Sequence, residues 1–303
     1  MAQVWLEWIV RKRNINIILY MLQGQGVLFP LLFLCAHCSV DSAGPVVLVT
    51  GATGRTGSLV YNQLKQAGLS VRGLVRNASK AREILKCEKC DTSEGIYVAD
   101  ITKKDTLAPA MHGATALAIV TSASPICDPY PNCHFPEGGL PIDIDWHGQK
   151  NQIETFAEAN ANGQSHGFVV LVSTMGTTTP EDSKHGLPGF ISFYKLNSEA
   201  YLMSSGIPFT VIKPCGLVDA NASQQELVVG HDDELDASVP IARGDVARVV
   251  AGAITAPGAA SGLRFDLCAK KSGTPTTDIN ELLRSARYPW EDKTTMEASI
   301  AIV

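Results

Sequence analysis

The stretch Val46-Val47-Leu48-Val49-Thr50-Gly51-Ala52-Thr53-Gly54-Arg55-Thr56-Gly57 constrains the fold of this chain more than any other. Its run of apolar and β-branched residues predicts a short buried strand, and the glycines at 51, 54 and 57 close that strand with a turn. An amphipathic run over residues 59–67 follows at once. Strand, glycine turn and helix in that order make a cradle for the phosphates of a dinucleotide. Gly51 supplies the tight turn, Gly54 removes the Cβ that would bar a pyrophosphate, and Gly57 lets the helix pack close to the strand. The helix N-terminus then directs free N–H groups at the anion.

The alternation of strand and helix continues along the chain. Strands are predicted over residues 70–75, 95–99, 116–120, 167–172, 207–212 and 264–267. Helices are predicted over 56–66, 79–86, 104–111, 147–161, 191–204, 245–254 and 277–287. Strands separated by helices imply an α/β fold, a doubly wound parallel sheet of the Rossmann type. Ligands then belong at the carboxyl ends of the strands. Segment 121–146, with several prolines and two cysteines, breaks the rhythm and reads as a functional insertion or flap. The expected organisation is a leader over 1–44, a nucleotide-binding domain over 45–290 and a tail over 291–303. Elements of a small C-terminal substrate lobe are expected mainly after Pro214.

A hydrophobic content of 45% with 18% charged residues suits a globular core. The formal charge of −5 lacks the basic excess of a nucleic-acid binder, so no nucleic-acid partner is expected. The eight cysteines are scattered rather than set in a compact framework, which predicts reduced, mostly buried thiols. Cys87-x-x-Cys90 and the Cys127, Cys133-His134 group fall in separate segments, and no metal site is expected. Near the N-terminus, Arg11-Lys12-Arg13 precede an apolar stretch over 15–36 that Gln23-Gly24-Gln25-Gly26 and Pro30 interrupt. So interrupted a span makes a poor transmembrane helix. Its core at 26–36 has the length of a signal-peptide apolar region. Targeting to the secretory pathway or an organelle, the plastid included, is the first reading and a membrane anchor the second. The alternative is a segment without a role in a cytoplasmic protein. Membrane contact is expected only through residues 15–36, if they are retained, and the oligomeric state is left open.

Two residues separate successive glycines, and Thr50-Gly51-Ala52-Thr53-Gly54-Arg55-Thr56-Gly57 resembles the motif of the extended and atypical short-chain dehydrogenases/reductases, above all the NmrA-like group. The resemblance runs from about residue 45 to 287. An NAD site usually carries Asp or Glu at the end of its second strand to hold the ribose hydroxyls. Here Val75-Arg76-Asn77 stands there instead. Arg76 suits a 2′-phosphate, with Arg55 in the glycine loop to assist, so NADP is expected over NAD. The resemblance implies adenine contacts at Asp100-Ile101. Thr121, at the end of the fourth strand, joins Gly51, Thr53, Gly54, Arg55, Thr56, Gly57 and Arg76 in the expected cofactor-binding set.

In the resembled superfamily a Tyr and a Lys four residues later share one helix face. The Lys holds the nicotinamide ribose and lowers the Tyr pKa for acid–base work. Here the helix reads Phe190-Ile191-Ser192-Phe193-Tyr194-Lys195-Leu196-Asn197-Ser198-Glu199. Matching Ser198-Glu199 to the family's Ala-Glu puts Lys195 at the Lys position and Ile191 at the Tyr position. Tyr194 and Lys195, as neighbours, project about 100° apart and cannot form the pair. The ribose-binding Lys is therefore kept and the proton donor is gone. Ser173, ending the fifth strand, fills the position that orients the substrate oxygen. Lys213-Pro214-Cys215-Gly216-Leu217 resembles an Arg-Pro-Gly-Gly-Leu segment whose backbone lies beside the nicotinamide, with Cys215 in place of a Gly. Pro214, Cys215, Gly216 and Leu217 are accordingly expected cofactor contacts, Ser173 and Lys195 the catalytic pair, and His185 a candidate substitute acid. The resemblance implies an oxidoreductase moving hydride between NADPH and a small organic substrate. Loss of the Tyr keeps a second reading open, an NADP-binding redox sensor or scaffold.

Overall fold

A computed structural model describes residues 44–128, 132–161, 167–178 and 190–288. In chain order, β1 (Val46–Thr50), α1 (Arg55–Gln66), β2 (Ser70–Val75), α2 (Ala78–Leu85) and β3 (Ile96–Val98) open the fold. Next come α3 (Ala108–Met111), β4 (Ala116–Ile119), a hairpin of β5 (Ile126–Cys127) and β6 (Cys133–His134), α4 (Gln149–Asn160) and β7 (Phe168–Val172). The chain continues through α5 (Ile191–Ser204), β8 (Phe209–Pro214), β9 (Leu217–Val218), β10 (Leu227–Gly230) and β11 (Ile241–Ala242). It closes with α6 (Arg243–Thr255), α7 (Pro257–Ala260), β12 (Leu263–Ala269) and α8 (Ile279–Ser285).

Eight strands form the main sheet in the order β10-β12-β8-β7-β4-β1-β2-β3. Every pairing is parallel except that of β10 along β12. The order reverses between β1 and β4, the switch point at which such sheets bind their ligands. Alternation along β1 explains the two faces. Val47 and Val49 point into one core with α1 and α6, and Leu48 points into the other with α4. Each such buried side chain contributes about 1.5–3 kcal/mol. That near-continuous apolar patterning is what a two-sided parallel sheet demands.

Proline chemistry accounts for several departures from the sequence expectations. Residues 104–111 split into a tight turn at Lys104–Thr106 and the short α3, because Pro109 lies in the first turn of the latter and donates no N–H. The sixth expected strand starts at Phe209, just past Pro208, and runs on to Pro214. A wide π-type turn, Ile142–Gly148, precedes α4. The region after Pro214 supplies β9, β10 and β11, and β10 reaches its strand geometry through pairing with β12. No helix among the described residues is long and apolar enough to cross a membrane. The expected leader and membrane contact at 15–36 lie outside the described residues.

For the cysteines among the described residues, the expectation of free thiols is corrected. Cys87 bonds Cys90, Cys127 bonds Cys133 and Cys215 bonds Cys268, with Cα separations of 5.1, 4.0 and 5.1 Å. Local geometry closes each pair. Cys127 and Cys133 are register partners in the hairpin, Cys215 directly follows β8 and Cys268 lies on the adjoining strand β12, and Cys87 and Cys90 bracket one turn after α2.

Candidate functional site

At the carboxyl end of β1 the chain turns through Gly51, whose φ of 67° favours glycine. A Cβ there would lie 3.0 Å from the Val120 carbonyl oxygen and 3.2 Å from Thr121 Cγ2. Gly54 N–H donates to the Gly51 carbonyl at 2.8 Å, closing the turn. A Cβ on Gly57 would overlap that same carbonyl, so only glycine lets α1 approach β1 so closely. Helix α1 starts with no side-chain cap and no acid in its first turn. The orphan N–H groups of that turn are thus offered to an anion. Gly54 and Arg55 are exposed, and Thr53 and Thr56 half-buried. This cradle fits the phosphates of a dinucleotide.

Arg76 is exposed at the carboxyl end of β2, where no carboxylate stands, and it pairs with no other described residue. Its neighbour Asn77 caps α2 by accepting from Ser79 N–H and Lys80 N–H at 2.8 and 3.1 Å. Asp100 Oδ1 accepts from Thr102 N–H at 3.0 Å and from its hydroxyl at 2.8 Å, an Asx turn after β3. Ile101 is buried and packs on Gly148, where a Cβ would come 2.8 Å from its Cδ1. Thr121 is held from behind: its carbonyl accepts from Gln149 Nε2 at 3.0 Å and its hydroxyl from Gln152 Nε2 at 3.2 Å.

Helix α5 turns Ile191, Lys195, Ser198, Glu199 and Leu202 inward. Lys195 Nζ lies 2.9 Å from Asp145 Oδ1, and both groups are buried. Asp145 comes from the π-type turn, accepts from Ala123 N–H at 3.0 Å, and offers its carbonyl to the Ser198 hydroxyl. One helical turn beyond Lys195, Glu199 accepts a short hydrogen bond from Ser173 Oγ. Arg264 on β12 donates to the other oxygen of Glu199 from Nε at 2.9 Å and Nη2 at 2.8 Å, and Nη2 also reaches Thr177 Oγ1 at 3.2 Å. Ser173 and Lys195 therefore both have buried carboxylates as partners, Glu199 and Asp145, and the position expected for Tyr is filled by the buried Ile191. Tyr194 is half-buried and meets Phe193 edge-on. His185 lies outside the described residues.

Beyond β8, Cys215 N–H donates to the Leu267 carbonyl at 2.9 Å, and its sulfur bonds Cys268 rather than standing free. The Pro214 carbonyl accepts from Met175 N–H at 3.1 Å, which ties the Ser173 loop to this segment. Gly216 is exposed and its carbonyl accepts from Ile241 N–H at 2.8 Å, while Leu217 starts β9. Lys213, wholly buried, pairs with Asp233 at 2.7 Å and Asp266 at 2.9 Å. Burial pushes the Asp233 carboxyl up, but hydrogen bonds from Lys213, Gly176 N–H and Thr178 pull it further down, to about 2. Burial pushes Asp266 up against the pull of Lys213.

Asp145, Arg264, Asp233 and Asp266, together with the grip of Glu199 on Ser173, escaped the sequence reading. A faint signal existed for one pair. Lys213 is the one charge in β8, Asp266 stands in the mostly apolar β12, and in the parallel register of the two strands they are partners. Long-range pairs such as Ser173–Glu199 leave no spacing to read.

A parallel sheet with its switch point beside a glycine cradle, whose helix has no side-chain cap, defines an α/β dinucleotide-binding protein. The chain belongs to the NAD(P)H-binding family, whose family model matches residues 51–257, and its cofactor is a nicotinamide dinucleotide. It is 38% identical to an uncharacterized chloroplastic protein of Arabidopsis thaliana, over 78% of this chain and 74% of that one. It is 35% identical to sanguinarine reductase of Eschscholzia californica, over 80% of this chain and 97% of that enzyme. Among solved structures, a Bacillus halodurans protein assigned as an NAD-dependent epimerase/dehydratase superimposes with a TM-score of 0.64 at 23% identity. That match covers 80% of this chain and 100% of the other, and at such identity it shows the fold alone.

Proposed function

We propose that this chain is an NADP-dependent oxidoreductase that moves hydride between NADPH and a small organic substrate without a Tyr proton donor. The observation that carries this reading is the inward face of α5. It presents Lys195 and, one turn on, the Glu199 that holds Ser173, with Ile191 in place of the donor. The bound nicotinamide supplies the hydride chemistry. Lys195, fixed by Asp145, is the group that binds the nicotinamide ribose, and Ser173 orients the substrate oxygen. Gly51, Thr53, Gly54, Thr56 and Gly57 hold the phosphates, Asp100 and Ile101 the adenine side, and Thr121 and Pro214 through Leu217 the nicotinamide side. Substrate-lobe elements come mainly from the segment after Pro214.

Preference for NADPH rests on the exposed, unpaired Arg76 and the missing carboxylate at the end of β2. A charged hydrogen bond of this kind contributes about 1.5–3 kcal/mol. Arg76→Ala should therefore weaken NADPH binding about tenfold or more and leave NADH binding unchanged. Equal losses for both cofactors remove Arg76 from its role. Sanguinarine, the substrate that names a relative, is the first compound to offer with NADPH, and Lys195→Ala should abolish any turnover found.

The sensor or scaffold reading has its own support: Ser173 and Lys195 are both engaged by buried carboxylates, and the position expected for Tyr holds Ile191. NADPH binding without oxidation across a substrate panel favours it. The chloroplastic relative favours plastid targeting by residues 1–44, testable by fusing that segment to a fluorescent protein.

A further inference from the structure

Arg55 and Arg243 converge on one exposed carboxylate beside the glycine cradle. Arg55 Nη1 lies 3.6 Å from Asp219 Oδ2, and Arg243 Nη1 lies 2.9 Å from Asp219 Oδ1. The exposures are unequal: the Arg55 and Asp219 side chains are 70% and 66% exposed, that of Arg243 only 9%. We propose that Arg243 is a ligand for a phosphate of the dinucleotide, and that Asp219 is a built-in competitor which a bound phosphate displaces. This rests on the cofactor cradle described above and assigns it a residue that the glycine motif does not contain.

Three features carry the assignment. First, the backbone sets the pair in place. Asp219 directly follows β9 and Arg243 directly follows β11, and the two short strands pair in parallel with Ala242 opposite Val218. Second, that platform is fixed against the cradle helix. Gln63 of α1 donates to the Gly244 carbonyl at 3.1 Å, and Gly244 lacks the Cβ that would lie 2.8 Å from Ala222 Cβ. Third, the charges are incompletely matched. Among the described residues the nearly buried Arg243 guanidinium donates a single hydrogen bond, at 2.9 Å to Asp219. Burial and the charge of Arg55 both act against its cationic form. Two guanidinium groups and the positive end of α1 thus face one carboxylate.

A buried cation held by one solvated carboxylate gains when an anion of higher charge takes that partner's place. Phosphate offers more oxygens than Asp219 and accepts bidentate bonds from a guanidinium fork. The exposed Arg55–Asp219 contact is weak and yields readily. Phosphate can come from the diphosphate bridge or from the 2′-phosphate, and the two cofactors separate these sources.

The test measures NADPH and NADH dissociation constants on the full chain, its Asp219→Asn variant, and Arg243→Lys and Arg243→Ala, with melting temperatures as the control for folding. Asp219→Asn should tighten binding by about threefold, the scale of an exposed ion pair. Arg243→Ala should weaken it about tenfold or more, and Arg243→Lys by less. Equal loss for both cofactors assigns the diphosphate, and loss for NADPH alone assigns the 2′-phosphate. Unchanged or weaker binding in Asp219→Asn, or unchanged affinity in both Arg243 variants, overturns the proposal while leaving the cradle intact. Failure of the unaltered chain to bind either cofactor would instead remove the cradle's role.

Discussion

Asp233 illustrates how much a single side chain can hold. Its backbone has a φ of 64°, its carboxylate joins Lys213 at 2.7 Å, and it accepts from Thr178 N–H at 2.7 Å. With its folded pKa depressed from 3.8 to about 2, it contributes stability that is present above pH 4 and lost as pH falls towards 2. Asp266, pushed up by burial, works in the opposite sense, favouring the folded chain only while it is protonated. Asp233→Asn tolerates the backbone and removes the charge. It should cost on the order of 2 kcal/mol in urea unfolding at pH 7, with the gap to the natural chain closing near pH 2. Gly57 tests the cradle itself. Because a Cβ there meets the Gly51 carbonyl, Gly57→Ala should lose cofactor binding and about 1–3 kcal/mol of stability. An unchanged melting temperature would mean that the turn relaxes at no cost.

Among the elements, helices and strands with a clear period were legible from the chain alone, and those whose shape depends on a partner were not. Helix α1 begins one residue before its expected start, and β2 has the expected bounds. Strand β10 carries no period of its own; pairing with β12 makes it a strand. The hairpin β5–β6 is the extreme case. Strands of two residues are too short to persist alone, and the Cys127–Cys133 bond holds them in register. Mild reduction should therefore raise amide exchange at residues 126–127 and 133–134 while β1, β4 and β7 stay protected. Protection that survives reduction would assign the hairpin's order to packing instead.

For the molecule as a whole, cofactor binding and folding are linked. A ligand that binds only the folded chain stabilises it by about 2.7 kcal/mol at one hundred times its dissociation constant, worth roughly 5–10 °C in melting temperature at this size. NADPH at saturating concentration should produce a shift of that order. NADH at the same concentration should produce a smaller one if Arg76 discriminates between them. Equal shifts would argue for a site indifferent to the 2′-phosphate.

The glycine spacing, the apolar strand before it and the β/α alternation are local signals, and they were enough to determine a dinucleotide-binding sheet and the loop that cradles phosphate. The family resemblance, and not local spacing, named Lys195 and Ser173 as candidates and marked Ile191 at the Tyr position. Tertiary structure alone decided the company those residues keep: Asp145 against Lys195, Glu199 and Arg264 behind Ser173, and Asp219 between two arginines. The same holds for the cysteines, which read as scattered thiols until adjoining strands and a tight turn brought them within bonding distance. The physical reason is range. Backbone periodicity and turn chemistry act between near neighbours and are written in spacing, whereas buried charges are compensated across the sheet by partners that only the fold brings near.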